Sequence, residues 1–431
     1  MKEKINQVFE EKGIMGFALK FQVYVKMKER RMKFRWETEF KETEIGEIPR
    51  EWEVKKLGEI SEITTGGTPR RNNPLYWNGN INWLKSQEVA DNYIYDTEEK
   101  ITELGRKNSN ARKIYSPGTL ILALYASPTA GRVAILKTYS TINQALAAIE
   151  GENNMFLFFS LIANRERLLL SASGAAQQNL NLKLVKDFEI PYPPLPEQSR
   201  IATVLSYFDD LIEVKKRQNE ILEKTAMAIF KSWFVDFEPF MDGEFVYNEE
   251  LGRDIPKGWE MKKVIDLCYI ISGRGKYLIE ASEGIYPLWG ANGVLGYIDN
   301  YDLEGFSIIT GRVGTIGKVF LVEGKYAISD NVLCIIPHQG FCIFFLYLWI
   351  KSQIDFESLN VGTSQPLITK TALGNEPILS PPPHILQSFH SLVEPLFQKI
   401  ILNQKQIMTL RKIRDTLLPL LVFGKLRVEE V

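Results

Sequence analysis

Apolar residues recur along this chain with two periods that alternate. Short continuous runs such as Thr119-Leu120-Ile121-Leu122-Ala123-Leu124 and Phe306-Ser307-Ile308-Ile309, punctuated by Gly, Pro and Asn, have the length and flanks of buried strands. After a proline-rich brake at 191–196, Ile201, Val204, Leu205, Phe208, Leu211, Ile212, Leu222, Ile229, Phe230 and Trp233 return at helical spacing. Beyond a second brake at 380–384, Phe389, Leu392, Val393, Leu396, Phe397, Ile400, Ile407, Leu410, Leu417 and Leu421 do the same. Each stripe predicts about 38 residues of helix, a rod of roughly 57 Å. Both are interrupted midway, by Lys215, Lys216 and Gln218 in the first and by Asn403, Gln404 and Gln406 in the second. Polar residues at such seam positions fix register at some cost in stability. Pro395 inside the second stripe predicts a kink or a delayed start.

The same order occurs twice. Ile48-Pro49-Arg50-Glu51-Trp52-Glu53-Val54-Lys55-Lys56 returns as Ile255-Pro256-Lys257-Gly258-Trp259-Glu260-Met261-Lys262-Lys263, and at that offset Gly66 falls on Gly273. Gly131-Arg132-Val133 aligns with Gly317-Lys318-Val319, and Gly174-Ala175-Ala176-Gln177 with Gly362-Thr363-Ser364-Gln365. The apolar run at 155–162 has its partner at 341–350, which predicts a repeated buried helix. Ten residues of helix reach about 15 Å, half a bilayer core, so this run is no membrane span. The expected architecture is globular domain, long helix, globular domain, long helix, with a coiled coil inside one chain holding the two domains apart.

Composition narrows the chemistry. The 431 residues suit two to four domains, and 45% apolar with 24% charged residues is the balance of a soluble globular protein. Three Cys and three His, with no CxxC or HxxxH, argue against a disulfide framework or a zinc module and fit a reducing cytoplasm. The start of the chain has no secretory-signal pattern. The net charge of −1 leaves polyanion binding to local patches, of which Lys26 to Arg35 is the steepest. That stretch reads either as a solvated arm or as a phosphate-backbone contact.

Catalytic patterns fail one after another. Asn73-Pro74-Leu75-Tyr76 misses the [D/N]PP[Y/F] tetrapeptide of amino-methyltransferases by one residue, and reads as a proline turn. Ser272-Gly273-Arg274-Gly275 lacks the third glycine of a nucleotide loop. The run 311–319 has Arg312 and Val319 where a phosphate loop needs Gly and Ser or Thr. The carboxylate pairs Asp209-Asp210 and Glu249-Glu250 read as satisfied surface groups. Binding chemistry remains. Arg70, Arg71, Asn72 and Asn73 set two guanidiniums beside two amides, and guanidiniums match guanine and phosphate while amides match adenine. Lys85, Ser86 and Gln87 form a donor-rich tip, and Gln177 and Gln178 are echoed by Ser364 and Gln365. Arg132, Arg274, Lys276, Asn292, Arg312 and Lys318 complete the candidate DNA-binding set. Each cluster read by itself is also an ordinary polar loop.

From about Glu42 to Val428 the chain resembles the specificity subunits of type I restriction-modification enzymes. The segments that carry the resemblance are E-I-G-E-I-P-R-E-W-E (44–53), P-P-L-P-E-Q (193–198), A-I-F-K-S-W-F-V-D-F-E-P-F (228–240), D-I-P-K-G-W-E (254–260) and R-D-T-L-L-P-L-L-V-F-G-K-L (414–426). The resemblance implies an α+β fold with two mixed α/β target recognition domains. Two long helices packed as an antiparallel intramolecular coiled coil separate them, with a pseudo-twofold internal duplication. It implies recognition domains at 44–194 and 241–382 and conserved helical regions at 195–240 and 383–431, while residues 1–43, whose first 41 precede the family pattern, are expected to form an extra basic arm or to follow from a misplaced start codon. It further implies that each domain reads one half of a split, asymmetric site in double-stranded DNA, with no catalysis and no cofactor bound by this chain. Two methyltransferase subunits using S-adenosylmethionine, and restriction subunits using ATP and Mg, are the implied partners. A coiled-coil adaptor without DNA readout is the alternative. The segment W-G-A-N-G (289–293) has no visible counterpart in the first half.

Overall fold

The computed structural model describes residues 25–27, 30–125, 129–172, 179–273 and 284–430. They divide into two compact units, Met1–Glu213 with Ile407–Val431, and Val214–Gln406. Among the described residues no helix is long and apolar enough to cross a membrane.

The first unit is built on a five-stranded sheet in the order Ser61–Thr65, Leu146–Gly151, Leu120–Ala123, Val133–Leu136, Asn92–Ile94, the last pair parallel. Strands Leu120–Ala123 and Val133–Leu136 are buried along their whole length, which is why they read as continuous apolar runs rather than as alternation. Helix Asn154–Ala163 packs on this sheet with Phe156 to Leu161 buried. A smaller sheet sets Trp77–Leu84 between Ser140–Ile142, parallel, and Glu99–Ile101, antiparallel. The second unit carries a four-stranded sheet, Cys268–Ser272, Val332–Pro337, Ser307–Gly311, Val319–Val322, with helix Ile343–Gln353 packed on it and Ile343 to Ile350 buried. Its smaller sheet sets hairpin Tyr286–Gly290 and Gly293–Ile298 beside Lys325–Ile328, again with a parallel pair.

Matched backbone bonds occur within each unit. Leu180 N–H donates to Leu124 O (2.9 Å) and Ile368 N–H to Arg312 O (2.9 Å). The next residues, Asn181 and Thr369, cap short helices with their side chains, accepting from Leu184 N–H and Ala372 N–H. Gly66 and Gly273 both pass so close to the neighbouring strand that a Cβ would lie 1.8 Å from Ile142 O in one unit and 2.3 Å from Ser329 O in the other. This shared close approach explains why the two glycines stand at one offset. Asn143 N–H to Leu84 O (3.0 Å) and Ser329 N–H to Trp289 O (2.9 Å) are a further matched pair. They give segment 289–293 the structural counterpart that the sequence hides, residues 84–88.

The long helices run Leu195–Phe234 and Pro383–Val422. Proline opens each, in the first turn where no intrahelical N–H is lost. The second helix begins at Pro383 and continues past Pro395 to Val422, so that proline does not delay its start. In the first unit Ile201, Val204, Leu205 and Phe208 share one core with Ile413, Leu417, Leu418, Leu421 and Val422. Asp209 accepts from Arg414 there with its side chain 11% exposed, a half-hidden ion pair rather than the surface carboxylate expected from sequence. Burial pushes the Asp209 carboxyl up, against the pull of Arg414. In the second unit Lys215 Nζ donates to Gln406, Asn403 Nδ2 to Gln218 (2.9 Å) and to Asn219 (2.8 Å), and Phe234 packs on Phe389 at 4.8 Å. Here partners advance along one helix as they retreat along the other.

The basic stretch expected to be an arm is, from Arg30, part of the first unit. Strand Arg30–Trp36 pairs with Val25–Met27 and with Leu426–Glu430 at the far end of the chain. Just beyond it Glu37 and Glu197 converge on Arg427, all three buried. Such a partnership spans some 390 residues and leaves no local pattern in the sequence.

Candidate nucleic-acid interface

In each unit the candidate residues lie on loops at the ends of the two sheets. In the second unit three loops distant in sequence meet. The hairpin tip carries Asn292, the turn after strand Ser307–Gly311 carries Arg312, Thr315 and Lys318, and the loop before helix Lys370–Gly374 carries Ser364 and Gln365. Asn292 Nδ2 donates to Thr315 Oγ1 (3.0 Å) and Lys318 Nζ donates to Asn292 Oδ1 (3.0 Å). The third loop is tied to the turn through Gly314 N–H to Pro366 O (3.0 Å), and Gln365 Nε2 lies 3.2 Å from where a Cβ of Gly314 would stand. Arg312 is half-buried at the position where the first unit has the core residue Leu124, and its Nε is buried without a hydrogen-bond partner. Arg274 and Lys276 lie outside the described residues.

The first unit is arranged differently. Arg71 does not reach freely into solvent: its guanidinium lies 3.9 Å from the Trp77 ring centre and 4.8 Å from that of Trp83, and is clamped by Glu99. Lys85 shares Glu99 (2.9 Å) and also meets Glu98 (2.9 Å). The hydrogen bond from Arg71 holds the Glu99 carboxyl below its ordinary range, and Glu98 and Glu99 push the Lys85 ammonium up. Arg70 and Asn72 are exposed, and among the described residues their side chains have no partner. Asn73 is a local cap, its Oδ1 accepting from Leu75 N–H (3.1 Å) in the turn Pro74–Tyr76. That agrees with a proline turn rather than a base-holding tetrapeptide. Ser86 is buried and Gln87 exposed. Arg132 is half-buried on its own turn, with no bond to the Arg70–Asn73 loop among the described residues. Gln177 and Gln178 lie outside the described residues.

The matched bonds relate the two sets. They place Gln87 where the second unit has Asn292, and strand register, with Leu122 opposite Val133 and Thr310 opposite Val319, places Arg132 where it has Lys318. Sequence reasoning named Arg71, Lys85 and Asn292 but missed what holds them, Trp77, Trp83 and Glu99 in the first unit and Thr315 in the second. The two tryptophans that follow Arg70-Arg71 were the available signal.

This pairing of a basic residue with an exposed amide on neighbouring loops suits base edges and phosphates. A family model described as "Type I restriction modification DNA specificity domain" matches residues 49–224 and again 256–412. The chain belongs to the type I DNA specificity family. Among its relatives, the type I restriction enzyme MjaIX specificity subunit of Methanocaldococcus jannaschii is 41% identical over 93% of this chain and 99% of that one. The MjaVIII specificity subunit of the same organism is 25% identical over 93% and 99%. The crystal structure of a type I restriction-modification system S subunit from M. genitalium shares the fold, with TM-score 0.52, 19% identity, and coverage of 86% of this chain and 96% of that one. The two family matches fall one in each half, and the first reaches into the first long helix while the second ends within the second.

Proposed function

We propose that this chain is the DNA-recognition subunit of a type I restriction-modification complex, each unit reading one half of a split asymmetric site. The observation that carries this reading is the bonded pair of amide and cation on neighbouring loops, Asn292 with Lys318, at whose matched positions the first unit has Gln87 and Arg132, in a family member whose curated relatives are named specificity subunits. On this reading residues 44–194 and 241–382 are the target recognition domains, related by internal duplication. The helical regions 195–240 and 383–431 form an antiparallel coiled coil that sets the spacing between half-sites and docks two methyltransferase subunits. The chain performs no catalysis. S-adenosylmethionine belongs to the methyltransferase subunits, ATP and Mg to restriction subunits, and the complex works in the cytoplasm on double-stranded DNA. The candidate contacts are the loop residues already described together with Gln177, Gln178, Arg274 and Lys276.

The test is expression of the chain with its methyltransferase partner, and of each alone, in a methylation-free host, followed by sequencing of modified adenines. The expected result is modification only by the pair, at one split asymmetric motif. Exchanging residues 45–190 for those of a relative should change one half of the motif alone. Modification by this chain alone would refute the absence of catalysis. A folded pair that modifies nothing would favour an adaptor without readout.

A further inference from the structure

We propose that Asn292 reads an adenine in the DNA half-site, with its amide held in one orientation by Lys318 and Thr315. This rests on the DNA-recognition reading above and assigns a base to one residue of it. An asparagine side chain carries two N–H donors and a carbonyl oxygen with two lone pairs, and Lys318 can only donate. The ammonium therefore fixes the carbonyl on its own side (3.0 Å), and the amine turns to Thr315 Oγ1 (3.0 Å). One donor and one lone pair remain on an exposed side chain. Adenine presents the complement of that pair in the major groove, the N7 acceptor beside the N6 donor. Guanine presents two acceptors there, and cytosine and thymine one polar group each, so any of them leaves part of the amide unpaired.

The hairpin tip is seated, not draped. Gly311 lets it close on the turn: a Cβ there would lie 1.8 Å from Thr315 O and 3.1 Å from Ala291 Cβ. Beside the hairpin tip Trp289 packs on Phe320 (5.5 Å between ring centres), and its carbonyl accepts from Ser329 N–H. Among the described residues no carboxylate neutralises Lys318, so its charge stays available to favour a DNA phosphate or base edge beside the amide. The equivalent place in the first unit also ends in an exposed amide, Gln87.

The experiment uses the full chain in complex with its methyltransferase partner. Sequencing of the modified genome supplies the motif, and duplexes carrying it are made with each adenine in turn replaced by 7-deazaadenine, which pairs normally but lacks the N7 acceptor. Wild type should lose roughly 5- to 150-fold in affinity at one adenine. Asn292→Ala should bind the parent duplex more weakly by a similar factor and be indifferent to the replacement at that adenine. Thr315→Val should lose part of the discrimination at the same adenine and at no other, a pattern that general misfolding does not produce. If Asn292→Ala stays as sensitive as wild type at every adenine, the assignment is overturned while the recognition reading stands. If the wild-type pair modifies no split motif, the recognition reading fails and takes this assignment with it.

Discussion

Arg427 should be the most costly single charge to remove from the first unit. Its guanidinium is 9% exposed and faces Glu37 at 6% and Glu197 at 3%. It binds Glu197 through Nε and Nη2, the latter at 2.7 Å, and Glu37 through Nη1, and reaches Glu51 at 3.4 Å. Two buried carboxylates thus share one cation, helped by Trp52 Nε1 donating to Glu197 (3.1 Å) and by the N–H groups of Thr38 (2.8 Å) and Glu39 (3.1 Å) donating to Glu37. Arg427→Met keeps the stem and removes the charge, leaving Glu197 without a counter-ion among the described residues and Glu37 with only the more exposed Arg35 at 3.5 Å. Losing one partner of a buried pair costs about 3–5 kcal/mol, because the remaining charge stays desolvated. Hydrogen exchange at the amides of Arg30–Trp36 and Leu426–Glu430 reads this locally, without assuming that the whole chain unfolds in one step. Exchange limited by opening should accelerate on the order of 10²- to 10³-fold at pH 7. Adding Glu37→Gln and Glu197→Gln to Arg427→Met should recover most of the loss, since neutral groups pay no charge-burial penalty. An acceleration under about fivefold for Arg427→Met, or no recovery in the triple variant, would refute the reasoning.

Other outcomes follow from the same geometry. Burial would raise the Glu37 carboxyl, but the Glu39 and Thr38 N–H groups and Arg427 outweigh it and hold it at about 2. Its contribution is therefore complete above the ordinary carboxylate range and fades as pH falls from about 4.5 toward 2, so exchange in strand Arg30–Trp36 should quicken in that window beyond the intrinsic rate, and less so in Glu37→Gln. The three cysteines all lie in the second unit and are buried, with burial pushing Cys268 up to about 12 and Cys342 to about 11 and raising Cys334. Iodoacetamide at pH 8 should leave the native chain unlabelled, and labelling should report opening of the second unit. Gly273→Ala should speed that labelling strongly, at the upper end of overpacking costs of about 1–3 kcal/mol, while Gly66→Ala should leave it near the wild-type rate and instead quicken hydrogen exchange in Leu146–Gly151. Glu99→Gln should raise affinity for non-specific duplex and steepen its salt dependence by about one unit of logarithmic slope, read from titrations at several salt concentrations.

The features legible in the sequence are those whose cause is local or repeated. Forty-residue helices announce themselves because each buries an apolar stripe at both ends, Ile201 to Ile212 and Ala226 to Phe234 in the first, and the proline brakes before them mark where they begin. Gly66 and Gly273 stand at one offset because the same carbonyl-lined approach excludes a Cβ in both units. Segment 289–293 had no visible counterpart because backbone bonds from Ser329 and Asn143 hold that place, and such bonds tolerate any side chain. Arg71 looked free because Glu99 and the two indoles that hold it come from other strands. Asp209 looked exposed because its partner, Arg414, lies about 200 residues further on. Patterns close in sequence find elements, whereas pairings across the chain decide which charges are already engaged.

That distinction bears on how a chain of net charge −1 can recognise a polyanion. In the first unit the cations of the candidate loops, Arg71 and Lys85, are held by Glu98 and Glu99. A phosphate arriving there must compete with carboxylates that are already placed, and non-specific contact gains little from the exchange. Base contacts that exist only at the correct sequence supply the difference, so internal pairing lowers affinity for every site by a common factor and leaves discrimination to those contacts. In the second unit Lys318 bonds to a neutral amide, and its charge is not offset in the same way. The two units thus differ in what their loop cations hold: carboxylates at Arg71 and Lys85, with Arg70 exposed beside them, and a neutral amide at Lys318. An asymmetric motif is what two such readers, alike in backbone and unlike in the partners of their cations, would select.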